Sequence, residues 1–359
     1  MDLVRLLSTF SSFLIACVLG LGLNILFFSP ISPDILEFPS PTFPVESNSK
    51  LQEVTKLGEG LLVKPEDVAI DKSGILYTAT RDGWVKRLHN NGSWENWKFI
   101  GGESLLGITT SRNGGIIACD ADKGLVKVTD DEVTVIASQY EGGKLRFADD
   151  VVEGSDGSLY FSVASTKFGF HDWFLDVLEG KSHGQLLKYD PESNQVSILL
   201  DNLGFANGVT LSPLQDYLII CESWRFRCLK YWLKEEMKVK TEVFIDNLPG
   251  APDNINLAPD GTFWISLIQI IPSRLKFVHR SKLLKHLVVA FPGLVNKING
   301  AYKKAMVAKV DTDGKIIKVL DDPTGKVMSF VTSALEFEGH LYLGTLNCDF
   351  IGKLPLGII

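Results

Sequence analysis

Four oxygen-bearing side chains recur at one fixed distance from a turn. Glu66, Asp149, Asn207 and Asp253 each stand eight residues before a turn marker, respectively Gly74, Gly157, Gln215 and Gly261. Asp150 and Asn254 follow Asp149 and Asp253 directly, as supporting partners. Three carboxylates with one or two amide carbonyls, and no His or Cys among them, are hard-oxygen ligands that suit Ca²⁺ rather than Zn²⁺. So many carboxylates cannot share a buried site unless a cation neutralises them or their pKa values rise. A single Asp or Asn at a strand start usually satisfies nearby backbone amides; four in one register point to a shared metal or polar channel site. Competing chemistries lack their motifs: the chain has no G-x-S-x-G elbow, P-loop, G-x-G-x-x-G fingerprint or H-E-x-x-H pair.

For these residues to meet, their strands must converge. Past residue 60 one unit repeats: a short alternating strand, a turn, then a strand of β-branched and aromatic residues, as in PEDVAIDKSGILYTAT, ADDVVEGSDGSLYFSV and PDNINLAPDGTFWISL. The turn markers Gly74, Gly115, Gly157, Gln215, Gly261 and Gly339 are spaced by 41, 42, 58, 46 and 78 residues. Such intervals fit four-stranded blades of about 40–50 residues, with helical insertions in the third and fifth. The expected fold is all-β, a six-bladed β-propeller whose innermost strands line the central channel. The second and sixth blades put Gly107 and Val331 in the ligand register.

Ahead of the repeats, Leu6 to Phe28 is a 23-residue stretch without charge, long enough at about 1.5 Å per residue to cross a hydrocarbon core of about 30 Å. Residues 1–29 read as an uncleaved signal anchor, with a cleaved signal peptide as the alternative. A proline-rich linker over 30–54 and the propeller over 55–359 complete the domain organisation. Arg5 precedes the span while Asp34 and Glu37 follow it. That polarity describes a single-pass type II protein with its propeller in the endomembrane lumen; the alternative is a secreted or vacuolar protein after cleavage. The sequon Asn91-Gly92-Ser93 fits lumenal glycosylation. Cys221 and Cys228 flank one predicted hairpin and either pair or stay as buried thiols.

With 45% hydrophobic and 22% charged residues, the chain of 359 residues can bury a large core and is not disordered. Its net charge of −7 excludes a general nucleic-acid binder. That average hides a contrast, because residues 261–310 hold nine Lys or Arg and no Asp or Glu. The basic segment 272–304 predicts an amphipathic helical insertion that lies on an anionic membrane or covers the channel. His279 and His286 fall within it. The third-blade insertion carries His171, His183, Phe168, Phe170, Trp173 and Phe174, which either form a lid or, as the expected reading, pack an insertion helix on the blade tops.

The strings PEDVAID, FANGVTLSP, PGAPDNI and HLYLGTLN…FIGKLPL, with STKF…LLKYDPES, resemble the plant strictosidine synthase-like proteins over about residues 55–356. More distantly the chain is similar to the adipocyte plasma membrane-associated protein and to the paraoxonase and gluconolactonase propellers. The resemblance implies one channel Ca²⁺, held by Glu66, Asn207, Asp253 and Asn254, with Asp149 where the third-blade Asn is expected. It also implies an anchor, because the membrane-associated relative is built that way. Strictosidine synthase itself uses a Glu near the start of the sixth inner strand to move protons while tryptamine condenses with secologanin. Here SFVTSAL places Val331 and Thr332 there, with Glu336 further on, so that condensation is not expected. What the resemblance leaves is a Ca²⁺-dependent hydrolase of a small hydrophobic ester or lactone, with Asp149 and Asp253 as catalytic carboxylates. The alternative is a non-catalytic propeller that binds a partner or an alkaloid-like ligand and uses calcium structurally.

Overall fold

The computed structural model describes residues 3–38, 40, 46–141, 143–234, 240–268, 273–291, 293 and 304–357. Each repeat forms one four-stranded antiparallel sheet, and six such sheets follow in chain order. Their innermost strands are Asp67–Ile70, Leu105–Thr110, Ala148–Glu153, Ala206–Leu211, Ala251–Leu257 and Val331–Phe337. The turn marker after each has positive φ in all six blades, from 54° at Gln215 to 84° at Gly261. Five blades use glycine at this left-handed position, and Gln215 adopts the same geometry at some backbone cost. The sixth sheet takes its outermost strand from the other end of the propeller: Thr55–Leu57 pairs with Ile351–Pro355, Thr55 opposite Lys353. This pairing closes the ring without leaving a sheet edge inside it.

The core lies between neighbouring blades. Ile219 and Cys221 of the fourth pack with Phe263 and Ile265 of the fifth, and Ala79 and Val85 of the first pack with Ile116 and Ala118 of the second. Sheets covered on both faces need apolar residues on both, so second strands such as Tyr217–Glu222 are buried throughout instead of alternating. Cys221 and Cys228 are cross-strand partners and form a disulfide. Asn91 is exposed in the turn between Trp84–Leu88 and Trp94–Phe99, where its Oδ1 accepts from the Ser93 amide at 2.9 Å. Strands alternate in direction, so this turn lies at the opposite end of the blade from Glu66.

Four helices are present among the described residues: α1 Leu3–Phe27, α2 Trp173–Glu179, α3 Ser273–His279 and α4 Lys282–Ala290. Helix α2 lies between the second and third strands of the third blade, and α3–α4 between those of the fifth. The basic segment is thus two short helices. The break falls at Ser281, whose hydroxyl caps α4 through the Leu284 amide at 3.3 Å. His279 and His286 consequently belong to different helices and share no face. Lys297 and Lys303 lie outside the described residues, as does the side chain of Arg274.

By its contacts the chain forms two compact units, the propeller and a helical unit made of residues 1–37, 174–181 and 271–300. Within the helical unit the segment after α1 is tied down. The Asp34 amide donates to the Glu179 carbonyl at 2.8 Å, the Leu36 amide to the His279 carbonyl at 3.3 Å, and the buried Lys285 ammonium to the Asp34 carbonyl. Asn48, further along the stretch read as a free linker, holds the propeller instead: its amide donates to Asp321 at 2.9 Å, and Leu51 is buried in the core between blades five and six. Apolar Ile31, Leu36 and Leu51 gain by burial, so residues 30–54 are only partly a linker. Among the described residues no helix is long and apolar enough to cross a membrane. Helix α1 nevertheless exposes Phe10, Phe13, Leu19, Leu23 and Phe27.

Candidate functional site

The inner strands of blades three, four and five slip register at the same place. The shifts fall between Ala148 and Val151, Ala206 and Val209, and Pro252 and Ile255. A bulge frees two consecutive residues from the ladder and re-aims their side chains. The freed pairs are Asp149-Asp150, Asn207-Gly208 and Asp253-Asn254. Glu66, Asp149, Asn207 and Asp253, the four residues found by counting back from the turn, are each at most 5% exposed and line one cavity.

In blades one, three and six a neighbouring residue turns sideways and joins blades. Asp67 accepts from its neighbour Val68 and from Ile108 of the second blade, both at 2.7 Å. Asp150 accepts from Val151 and from Val209 of the fourth blade, both at 2.8 Å. The Thr332 hydroxyl of the sixth blade donates to the Glu66 carbonyl at 2.6 Å. Strands approach so closely here that a Cβ on Gly208 would stand 2.5 Å from the Asp253 carbonyl oxygen, and one on Gly107 2.5 Å from Asp150 Oδ1. In blade two the same slip, between Leu105 and Ile108, frees Leu106 and Gly107; Leu106 is the one that lines the cavity, and Gly107, counted into the ligand register, instead matches Gly208, where nothing larger fits.

The cavity has a volume of about 340 Å³, within the range of small-molecule sites. Its acidic floor faces Arg81, and Lys64 also lines the cavity. The guanidinium of Arg81 donates to the Glu103 and Leu105 carbonyls at 3.0 and 2.9 Å and lies 4.6 Å from the Phe170 ring centre. Burial raises every carboxyl of the floor, because the charged form loses its hydration. Asp149 is pushed up to about 7 against the pull of Arg81, and Asp67 to about 6 against four hydrogen bonds that favour its charged form. Glu66, Asp150 and Asp253 rise well above the carboxylate range, with repulsion from neighbouring acids adding to burial.

The amide groups show what this charge could hold. Asn254 turns its Nδ2 to Glu66 Oε1 at 3.3 Å, and Asn207 hydrogen-bonds the Asp253 side chain. Their nitrogens are used on carboxylates, while Asn207 Oδ1, Asn254 Oδ1 and Glu66 Oε2 remain buried without hydrogen-bond partners. Orphaned oxygens beside ionisable acids are what a hard cation would satisfy. Among the described residues no group of three His, Cys, Asp or Glu could hold a metal alone, so the amide oxygens are needed to complete any set.

Several site residues escape the eight-residue count. Asp67 occupies the same register as Asp150 and Asn254, one position on, and that repetition could have found it. Arg81 follows the second strand of blade one and has no fixed register. Phe170 and Trp173 line the cavity, contrary to the expectation that the third insertion only packs. His171 is exposed beside Phe170, with ring centres 5.2 Å apart, and His183 stands against Phe168 at 6.1 Å; neither lines the cavity. Glu336 is likewise outside it, accepting from Trp264 Nε1 at 2.6 Å and paired with Lys309 at 3.1 Å.

A closed ring of six antiparallel blades around an acidic, aromatic-walled channel cavity defines a six-bladed β-propeller. The chain belongs to the strictosidine synthase-like family. The strictosidine synthase profile matches residues 149–236, and the strictosidine synthase-like N-terminal profile matches residues 44–88. Protein STRICTOSIDINE SYNTHASE-LIKE 4 of Arabidopsis thaliana is 35% identical, over 97% of this chain and 95% of its own. The adipocyte plasma membrane-associated protein of Bos taurus is 33% identical, over 94% of this chain and 87% of its own. Among solved structures, a gluconolactonase from Xanthomonas campestris superposes with a TM-score of 0.61 at 13% identity, covering 89% of this chain and 96% of that one. A calcium-binding protein, regucalcin, from Agrobacterium tumefaciens gives 0.55 at 13% identity, covering 83% and 92%. At such identities these two similarities concern the fold.

Proposed function

We propose that this propeller is a Ca²⁺-dependent hydrolase of small hydrophobic esters or lactones. The observation that carries the reading is the set of partnerless buried oxygens, Glu66 Oε2, Asn207 Oδ1 and Asn254 Oδ1, amid acids that cannot all ionise unaided. Glu66, Asn207, Asp253 and Asn254 would hold the ion, with Asp149 as a further oxygen ligand. When bound, calcium would polarise the carbonyl of the substrate as a Lewis acid. Asp149 and Asp253, on the cavity floor, are the carboxylates that take a proton from attacking water and return it to the leaving oxygen. Arg81 balances part of their charge, and the aromatic wall excludes bulk water. Similarity of fold to a gluconolactonase and to a calcium-binding regucalcin supports the reading. The type II anchor with a lumenal propeller rests on the sequence, where Arg5 precedes the uncharged stretch and Asp34 and Glu37 follow it; the apolar side chains that α1 exposes are in keeping with it.

The test is hydrolysis of aryl acetates and lactones by the full chain in detergent micelles. Activity should disappear with EGTA, return with calcium, and fall at least about 100-fold in Asp253→Ala. Activity indifferent to both treatments would overturn the proposal. A second reading, a binding propeller with structural calcium, is favoured by a cavity lining that, among the described residues, includes no His. It requires that EGTA lower the melting temperature while no ester or lactone turns over.

A further inference from the structure

Among the described residues, most of the strongly exposed apolar side chains belong to the helical unit. On α1, Phe10, Phe13, Ile15 and Leu19 are each more than half exposed. At about 100° per residue they fall on both sides of the helix, so no single protein groove would cover them. A second set has a different character. Phe277 on α3, Leu283 on α4 and Phe291 at its end are exposed, and exposed Lys276, Arg280 and Lys282 stand among them. The inner side of the same helices is closed by Leu275, Val278 and Val288, all buried. From Gly261 to Val310 the chain has no acid of its own to neutralise these cations.

The hydrogen bonds of the helical unit fix the level of this second set. The uncharged stretch of the sequence ends at Phe28, and the first charge after it is Asp34. The Asp34 carboxylate accepts from the Lys282 ammonium at 3.1 Å, and its carbonyl accepts from the buried Lys285. The first turn of α4 is therefore held within six residues of the end of the apolar stretch, at most about 20 Å of extended chain. Further back, α1 itself packs against α4, and its Ile25 is buried. Phe28 and Ile35, on either side of that tie, are exposed as well. Wherever α1 enters an apolar phase, α3 and α4 lie close to the boundary of that phase. A face of mixed Phe, Leu, Lys and Arg suits such a boundary. The contact core of a protein partner is depleted in Lys, whereas a lipid surface takes up the apolar side chains and lets Lys and Arg reach the headgroups beside them. The α1 tether would hold that surface at high local concentration.

We propose that α3 and α4 form a docking face for anionic lipid: Phe277, Leu283 and Phe291 enter the acyl boundary, and Lys276 and Arg280 bind the headgroup phosphates and carboxylates while Lys282 stays on Asp34. The face is independent of the hydrolase reading; its level rests on the anchor reading, and the test separates the two. The full chain is diluted from detergent into liposomes of phosphatidylcholine, alone or with about one-third phosphatidylserine. Each preparation carries a lipid with a photoactivatable diazirine on its acyl chain, and lipid adducts are located by mass spectrometry after proteolysis. Adducts should fall on α1 in both liposomes, and on Phe277, Leu283 and Phe291 at least about threefold more often with phosphatidylserine. Lys276→Glu combined with Arg280→Glu, which leaves the tie from Lys282 to Asp34 intact, should remove that gain. Raising salt to about 0.5 M should remove it in the wild-type chain too, which keeps the test open should the variant fail to fold. Adducts on α1 with none on α3 and α4 would overturn the docking face alone, as would adducts there that are equal in both liposomes and indifferent to salt. Adducts on α3 and α4 with none on α1 would overturn the anchor alone. Two chains crosslinked through α3 and α4 in place of lipid adducts would assign the face to a second copy and overturn the proposal.

Discussion

Neutralising one acid of the channel floor should make the calcium-free protein more stable. Asp149 has its carboxyl raised by burial from an ordinary 3.8 to about 7. Between those values the folded chain holds a proton that the unfolded chain has released, so stability is fullest below pH 4 and is lost as pH rises towards 7. At 1.36 kcal/mol per pKa unit the loss is about 4 kcal/mol, a large part of the 5–15 kcal/mol that holds most domains folded. Asp67, raised to about 6, contributes in the same direction over a narrower window. In Asp149→Asn the first of these penalties is gone. With EGTA at pH 8 the variant should therefore be more stable than wild type by up to about 4 kcal/mol, or roughly 8 °C in melting temperature for a large domain, and the two should converge at pH 4. Added calcium should reverse the order, because an ion that binds only the folded state stabilises wild type by mass action and the variant lacks one anionic oxygen. Scanning fluorimetry from pH 4 to 8, with EGTA or with calcium, reads all four arms. A variant less stable than wild type in EGTA at pH 8, or a wild type that gains stability with pH there, would show that Asp149 is not held against its charge.

Two further substitutions test the frame around the site. Gly208→Ala brings a Cβ to 2.5 Å from the Asp253 carbonyl oxygen and the Ile255 amide nitrogen; both are backbone, so the strands must part, and the urea midpoint should fall by the equivalent of about 1–3 kcal/mol with a loss of calcium response. Glu336→Gln removes the ion pair to Lys309 but keeps an acceptor for Trp264, so about 1 kcal/mol of stability should go while kcat/KM for esters stays unchanged; a collapse of activity would make this sixth-blade acid catalytic and reopen the condensation chemistry.

How much of this was legible in the sequence depends on what fixes each residue in place. Glu66, Asp149, Asn207 and Asp253 could be found by counting because strand length and a tight turn together fix the distance from turn to channel. The same arithmetic survives at Gln215, which keeps the positive φ of the glycines it replaces. Counting could not show that blades three to five bulge at this point, so nothing in the sequence said that two consecutive residues escape the ladder and that the second of them joins blades. The joining role of Asp150 was hidden for that reason, whereas Asp67, which stays in its ladder opposite Ala79, was simply one position past the count. Arg81 comes from a connection between strands, where no period applies. The basic insertion kept its composition but not its continuity, since Ser281 ends one helix by capping the next.

Three phenylalanines at positive φ, Phe147, Phe205 and Phe330, each directly before an inner strand, were the least legible. Propensity places Gly or Asn at positive φ, so a reader of sequence assigns Phe147, Phe205 and Phe330 to ordinary strands or core. Local preference and three-dimensional placement disagree at these positions, and such disagreement survives in a folded protein only where something else compensates. Packing compensates in part at Phe147 and Phe205, which are buried. Phe330 is half-buried and gains less from packing. A glycine there would remove the ring and the strain together, so Phe330→Gly should leave the melting temperature level or raise it, and a clear fall would show that the ring's packing outweighs the strain.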